Sequence, residues 1–400
     1  MLRHILKLIW NKKRMNSLII LEIFISFLVV FAVTSVCVHY ALLYRHSLGF
    51  SYEDIWAIRM EPGGPWQAED ALIVDQAMRV IGDLDPVESI AGLDIAPFRG
   101  STWTSTVKYR DRKVSSMFNH ATDGLAELIG LELVEGRWFG AQDDGLAWRA
   151  VVIDRQLRDE LFGDDPALGQ DISGRDPDDP EQSEADESRV VGVIEDFRQK
   201  GELHRLRPYV FARYRMGQPN DREMNTLHVK VREGTTAAFE EELLQSLQAV
   251  APTWKVQVKP WAHARQSMLE SQLTPVLVMS IVAGFLMLMV ALGLLGVLWQ
   301  NLTRRTAEIG LRRAMGAAVG QIRNQIAGEL LMITTLGVGA GVLVAVQFPL
   351  LGVAGFTEWA TSAWSLTVSV VLIYLLALGC TLYPSWLATR VEPADALHYE

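Results

Sequence analysis

The sequence predicts an α-helical membrane protein in which four transmembrane helices, arranged one plus three, carry a large α+β extracytoplasmic domain. Three observations lead there. Four runs, at residues 17–43, 275–299, 330–355 and 366–387, are long and apolar; the last three hold no Asp, Glu, Lys or Arg, and the first holds only Glu22. A hydrocarbon core about 30 Å thick takes roughly 20 apolar residues as helix, so each run suffices. Second, residues 44–273 carry 26 Lys and Arg against 40 Asp and Glu, a balance of −14, while the rest of the 400 residues is net +4. Third, short basic connections alternate with an uncharged or acidic opposite side. A chain that is 50% hydrophobic and only 21% charged, at −10 overall, is neither disordered nor a nucleic-acid binder, and the runs exclude a soluble enzyme.

Orientation is read from the short loops, since long domains translocate largely regardless of charge. Residues 1–16 carry Arg3, Lys7, Lys12, Lys13 and Arg14 without an acid, which places them in the cytoplasm. The first span, 17–43, is expected to stay uncleaved: its apolar stretch exceeds the roughly 7–15 residues of a signal peptide and no small-x-small site follows. Within it Glu22 reads as snorkelling or as a polar contact between helices rather than as a proton relay, because no basic partner lies at its depth. Cys37 and Cys380 fall at different depths, so no disulfide between them is expected.

Residues 44–273 form the outer, periplasmic domain. Two βαβ patterns bracket it: strand 54–60, helix 68–81 and strand 87–98 at its start, and strand 226–232, helix 237–250 and strand 254–261 at its end. Two such units can share one sheet, with helices on one face, as a ferredoxin-like layer. A β-rich insertion lies between them. Strands 104–109 and 113–119 flank the turn Arg110-Asp111-Arg112, and further strands are expected at 150–153, 189–194 and 208–214. The acidic stretch 173–188 lacks EF-hand spacing and reads as a loop rather than a Ca²⁺ site. From Ala262 the helical pattern continues through Gln272 into the second span, 274–299, broken only by Pro275, so domain and membrane share one stiff helix.

A cytoplasmic connection, 300–326, joins the second span to the third, 327–355. A short outer loop follows at 356–365, with Phe356, Trp359 and Trp364 as headgroup-level aromatics and no Lys or Arg. The fourth span, 366–387, ends in a cytoplasmic tail, 388–400. In the spans, Gly293 with Gly296 and Gly337 with Gly341 read as packing positions where helices approach closely, against the plain frequency of glycine in membrane helices.

Catalytic chemistry is absent from the pattern. No Gly-Lys pair occurs, so the 400 residues cannot cradle ATP phosphates in the P-loop manner. There is no H-E-x-x-H and no G-x-S-x-G, and His39 and His46 read as isolated singletons. Acidic neighbours such as Asp143-Asp144 are expected by chance among 40 acids. No catalytic residue, metal ligand or bound cofactor is assigned.

The connection is the informative segment. Residues 304–323 read R-R-T-A-E-I-G-L-R-R-A-M-G-A-A-V-G-Q-I-R. Glu308 can pair with Arg304 or Arg312 along a helix, and Ile309, Gly310, Ala314 and Ala317 give a narrow small-residue face. A positive anchor for anionic lipid would need the charge but not this ordered alternation.

Arg305-x-x-Glu308-Ile309-Gly310-x-Arg312-Arg313-Ala314-x-Gly316-Ala317 resembles the signature of the FtsX/MacB-like permeases of ABC transporters, a mechanotransmission (type VII-like) family. Glu329 follows as that pattern has it. The ending Tyr383-Pro384-Ser385 with Glu392-Pro393-Ala394-Asp395-Ala396-Leu397 is similar to the family's closing segment, and LVEGRWF at 133–139 and VVGVIEDF at 190–197 match its outer domain. The resemblance implies a non-catalytic membrane subunit that dimerises with a second copy or a paralogue. It implies a separate cytoplasmic ATPase, carrying ATP and Mg²⁺, that docks on residues 305–317 and drives the outer domain, with its ferredoxin-like porter layer, in efflux or extraction. A periplasmic adaptor, an outer-membrane channel and membrane lipids are further expected partners, nucleic acid is not. The alternative it leaves open is an FtsX-type signal relay that activates an envelope hydrolase or senses a ligand.

Overall fold

The computed structural model describes residues 13–174, 187–215, 223–304, 315, 318–351 and 359–388. It divides into two compact units, one of Leu43–Gln272 and one of Met1–Leu42 with Leu273–Glu400. In chain order the elements begin with α1 (Lys13–Tyr44), β1 (Ile55–Glu61), α2 (Asp70–Gly82), β2 (Val87–Gly92), β3 (Trp103–Tyr109) and β4 (Arg112–Ala121). Then come α3 (Leu125–Ile129), β5 (Leu133–Gly136), β6 (Arg149–Asp154), α4 (Arg155–Leu161), β7 (Ser188–Ile194) and β8 (Tyr209–Arg213). The series ends with β9 (Thr226–Val231), α5 (Ala237–Val250), β10 (Lys255–Pro260), α6 (Trp261–Arg304), α7 (Val319–Ala345), α8 (Gln347–Leu351) and α9 (Trp359–Ala388).

In the outer unit, β10-β1-β9-β2 make a four-stranded sheet in which every adjacent pair is antiparallel. Each βαβ pattern is therefore split: β9 lies between β1 and β2, and β1 lies between β9 and β10. Val74, Ala77 and Ile81 line one face of α2, and Phe239, Leu243 and Leu247 one face of α5. Both faces bury against Ile58 and Met60 of β1 and Leu227 and Val229 of β9. Such helical spacing is what one buried face requires.

The inserted strands build a second, six-stranded mixed sheet, β3-β4-β8-β6-β7-β5. β4 runs parallel to β8 and β6 parallel to β7, the other neighbours being antiparallel. Arg110, with a φ of 51°, makes the tight turn of the β3–β4 hairpin. The expected strand 87–98 ends at Gly92 instead. There the chain leaves the first sheet for the second: the Gly92 N–H donates to Thr122 Oγ1 at 2.8 Å, Leu93 bridges Ala121, and the Ile95 N–H donates to Asn119 Oδ1 at 3.1 Å. Asp143 and Asp144 form no dyad. Asp143 is fully buried and pairs with Arg137 at 2.5 Å, and Asp144 binds Arg213 at 2.8 Å. The acidic stretch between 175 and 186 lies outside the described residues.

Among the described residues, Ser17–Tyr44, Trp261–Gln300, Ala327–Leu351 and Trp359–Cys380 are helical stretches long and apolar enough to cross a membrane; the first ends and the second begins within the outer unit. Ile23 and Phe27 of α1, Val290 and Leu294 of α6, Ile333 and Val338 of α7, and Ile373 and Ala377 of α9 share one core. Two expectations shift. The helix of the third span ends at Ala345 and a short helix, α8, follows. The outer loop expected at 356–365 is helical from Trp359 on. Its hydroxyls are satisfied within the helix by bonding back one turn: Ser365 Oγ donates to Thr361 O and Ser369 Oγ to Ser365 O, both at 2.6 Å. Thr34 of α1 then meets Ser369 of α9 at 2.7 Å.

Candidate functional site

The basic connection singled out by sequence, with Arg305, Glu308, Ile309, Gly310, Arg312, Arg313, Ala314, Gly316 and Ala317, lies outside the described residues; Met315 within it is exposed. Glu329 falls in the third turn of α7, 3.5 Å from Gln325 Nε2. Tyr383 and Pro384 fall in the last turns of α9, and Pro393, Ala396 and Leu397 lie beyond the described residues.

The glycines divide. A Cβ at Gly337 would stand 2.8 Å from Ile23 Cγ2, and one at Gly341 2.3 Å from Phe27 Cδ1, so α7 meets α1 through these two positions. At Gly293 a Cβ would lie 2.8 Å from Glu22 Oε2, which places the lone acid of α1 against the bare backbone of α6. Gly296 does not share this role: a Cβ there meets nothing within 4 Å, because that position faces away from the packed seam.

A second arrangement, which the sequence alone did not single out, holds the domain ends of α1 and α6. It starts from the stretch Val190–Phe197. Gly192 of β7 sits opposite Gly136 of β5, and a Cβ on Gly192 would stand 2.1 Å from Arg137 O, so the two quoted outer-domain motifs interlock through glycine. Gly49, at a φ of +81°, presses on Asp196 O where a Cβ would come within 1.7 Å. Phe197 is buried against Phe50, Tyr209 and Phe211, with ring centroids 4.8, 4.7 and 4.9 Å away. Each buried ring of this kind contributes about 1.5–3 kcal/mol.

The next residue, Arg198, is almost buried. Its Nη1 lies 3.3 Å from Leu43 O, 3.2 Å from Glu202 O and 3.4 Å from His204 O. A guanidinium thus joins the His46 N–H, 3.2 Å away, on a carbonyl in the last turn of α1, where a cation also suits the helix dipole. Burial lowers the Arg198 pKa, while the charges of Asp196 and Glu202 act the other way. On the α6 side, Glu202 accepts from Arg265 Nε at 2.6 Å and His204 meets Gln272 at 3.1 Å. Arg265 also lies over the Tyr52 ring, 4.7 Å from its centroid. Burial, with the charge of Lys200, pulls the His204 pKa down.

The first residue of α6, Trp261, is 1% exposed. Its Nε1 donates to His228 Nδ1 at 3.1 Å, so the His228 proton sits on Nε2 and is given to Leu93 O, also at 3.1 Å. Burial holds the His228 pKa down at about 4, with the Leu93 carbonyl opposing and Arg99 adding to the fall. The sequence signals were faint: an Arg directly after VVGVIEDF, and a Trp at a strand-to-helix junction.

Residues 17–246 match the family model described as the MacB-like periplasmic core domain, and residues 280–393 the FtsX-like permease C-terminal. The macrolide export ATP-binding/permease protein MacB 1/2 of Paracoccus denitrificans is 26% identical over 310 residues, 76% of this chain and 44% of its own length. MacB of Hahella chejuensis is 27% identical over 363 residues, 86% of this chain and 52% of its own. The chain therefore spans about half the length of these relatives. The periplasmic region of MacB from Actinobacillus actinomycetemcomitans aligns with 55% of this chain and 94% of its own at 12% identity, with a TM-score of 0.38. With both family models matched in order along its length, the chain belongs to the family of MacB-like, FtsX-like permeases.

Proposed function

We propose that the chain is the membrane subunit of an ABC transporter that turns ATP hydrolysis, performed with Mg²⁺ by a separate cytoplasmic ATPase, into movement of a periplasmic domain that expels or extracts a substrate. It sits in the cytoplasmic membrane as a dimer, with both termini inside. The observation that carries this reading is α6: it begins with Trp261 buried in the outer domain and continues as one helix for 44 residues to Arg304, next to the basic connection. The absence of any Gly-Lys pair supports assigning nucleotide binding to another chain.

In this mechanism closure of the ATPase pair presses on Arg305–Ala317, and α6 and α1 relay the displacement. The substrate is moved by the outer domains, with a periplasmic adaptor and outer-membrane channel where the envelope has two membranes. Among the described residues of the spans the buried polar side chains are hydroxyls, and Thr334, Ser365 and Ser369 bond back to their own helices. Such walls suit helix packing better than a solute path.

The test is ATPase stimulation by the reconstituted complex. Arg312→Glu with Arg313→Glu should abolish stimulation while insertion and the thermal melt of the outer domain stay unchanged. Normal stimulation by that variant would overturn the docking assignment.

A further inference from the structure

The outer unit holds a cavity that the coupling reading does not use. It measures about 540 Å³ and lies where the ends of β1 and β9 of the four-stranded sheet meet the start of β3 of the six-stranded one. Its volume is in the range of about 300–1,000 Å³ typical of small-molecule sites.

The charges around it are unevenly satisfied. Arg59 is paired, its Nε 2.7 Å from Glu61 Oε1. Asp94 is already engaged, and Glu223 stands exposed at the rim. Arg99 is half-buried in the wall and has no ion pair or hydrogen bond among the described residues. Burial lowers its pKa, Arg59 lowers it further, and only Glu61 opposes. A narrow cleft of about 30 Å³ shares Arg59 and Arg99 in its wall, adds Lys259 and has no carboxylate in its lining. A partly desolvated guanidinium without an ion-pair partner gains most from an oxyanion, which can take two of its donors at once.

The rest of the lining narrows the ligand further. Trp103, at the first position of β3, borders the cavity with its side chain 52% exposed. Such a ring offers an apolar face for a flat group. Ser101, Thr102 and Asn225 add neutral polar groups but no further cation. A polyanion is disfavoured by the domain's own balance of −14, so the occupant is small.

We propose that this cavity binds an amphiphile bearing a carboxylate or phosphate, the oxyanion held by Arg99 and the flat apolar part laid on Trp103. The site does not depend on the coupling reading, since binding is a property of this chain alone. The ligand's chemistry is the same whether it is a soluble aromatic acid or the headgroup end of an anionic lipid.

The experiment uses the full chain in phosphatidylcholine nanodiscs and calorimetric titration with 1-naphthyl phosphate. Parallel titrations use inorganic phosphate, 1-naphthol and dihexanoyl phosphatidate. Saturable binding of naphthyl phosphate is expected, weakened about tenfold or more by Arg99→Gln and only partly restored in Arg99→Lys, which keeps the charge but not the paired donors. Trp103→Ala, at an exposed position, should weaken naphthyl phosphate several-fold and leave inorganic phosphate unaffected. Arg99-dependent binding of the phosphatidate at least as tight as that of naphthyl phosphate would assign the site to lipid, and weaker binding to a soluble ligand. The proposal is overturned if 1-naphthol binds as tightly, if Arg99→Gln binds naphthyl phosphate unchanged with native circular dichroism, or if no saturable binding occurs below about 1 mM.

Discussion

His228 and Asp154 are both held uncharged in the outer domain, and burial pushes their proton affinities in opposite directions. His228 is lowered to about 4 by burial, and Asp154 is raised to about 7 by burial despite hydrogen bonds from the Tyr209 and Leu157 N–H groups. Below the ordinary histidine pKa near 6.5 the unfolded chain takes a proton that folded His228 refuses. That contribution to stability is therefore complete above about 6.5 and lost as pH falls toward 4. Folded Asp154 keeps a proton that the unfolded chain releases above about 3.8, so its contribution is complete below that value and is lost as pH rises to about 7. Between about 4 and 6.5 the two slopes oppose, each up to about 1.4 kcal/mol per pH unit. Asp154→Asn should make the thermal midpoint of the detergent-solubilised chain rise with pH across this window relative to the unmodified protein. His228→Gln should make it fall. Parallel profiles for all three proteins would show that neither group titrates as stated. Neither residue was evident in the sequence, where eight histidines and many acids are scattered. Burial is a tertiary property, and only β9 and β6 at the centres of two sheets create it.

At the scale of elements, spacing carries most of the information, and it fails where an element changes partners. The helix 237–250 appears with the boundaries its pattern predicts, because one apolar face meets one sheet. The strand expected at 87–98 stops at Gly92 because the chain crosses to a second sheet, and the residues that receive it, Asn119 and Thr122, lie 24 and 30 positions from their partners Ile95 and Gly92. Glycine shows the same limit. Gly296, Gly337 and Gly341 look alike in sequence, yet only the last two touch α1. Gly341→Ala should push Phe27 aside and destabilise the membrane unit by about 1–3 kcal/mol, Gly337→Ala should act similarly against Ile23, and Gly296→Ala should be neutral. Resistance to unfolding in detergent, read by protease cleavage within the spans, separates the three. Equal behaviour of all three variants would remove the distinction drawn from their surroundings.

For the whole molecule, the division of charge and hydropathy is readable from the first lines of sequence, but the mechanical route is not, because it depends on what grips each helix. α6 is continuous over 44 residues, and its domain end is tied by Trp261, Arg265 and Gln272 to His228, Glu202 and His204. A force relay needs a stiff member as well as two fixed ends. Inserting Gly-Ser-Gly-Ser after Ser271 leaves every one of those domain contacts except that of Gln272 on its original side, and replaces continuous helix by flexible coil. The outer domain should keep its thermal midpoint and, on the proposed function, the ATPase that the proposal requires should still bind and hydrolyse ATP. Substrate export, or the envelope response if the chain serves as a relay, should be lost. An insertion of four helix-forming residues, Ala-Glu-Ala-Lys, serves as the control of equal length, since it retains helix while rotating the register by about 40°. It should retain more activity than the Gly-Ser insertion. If both insertions work as well as the unmodified chain, α6 does not transmit force, and the coupling must run through α1 and its Arg198 contact instead.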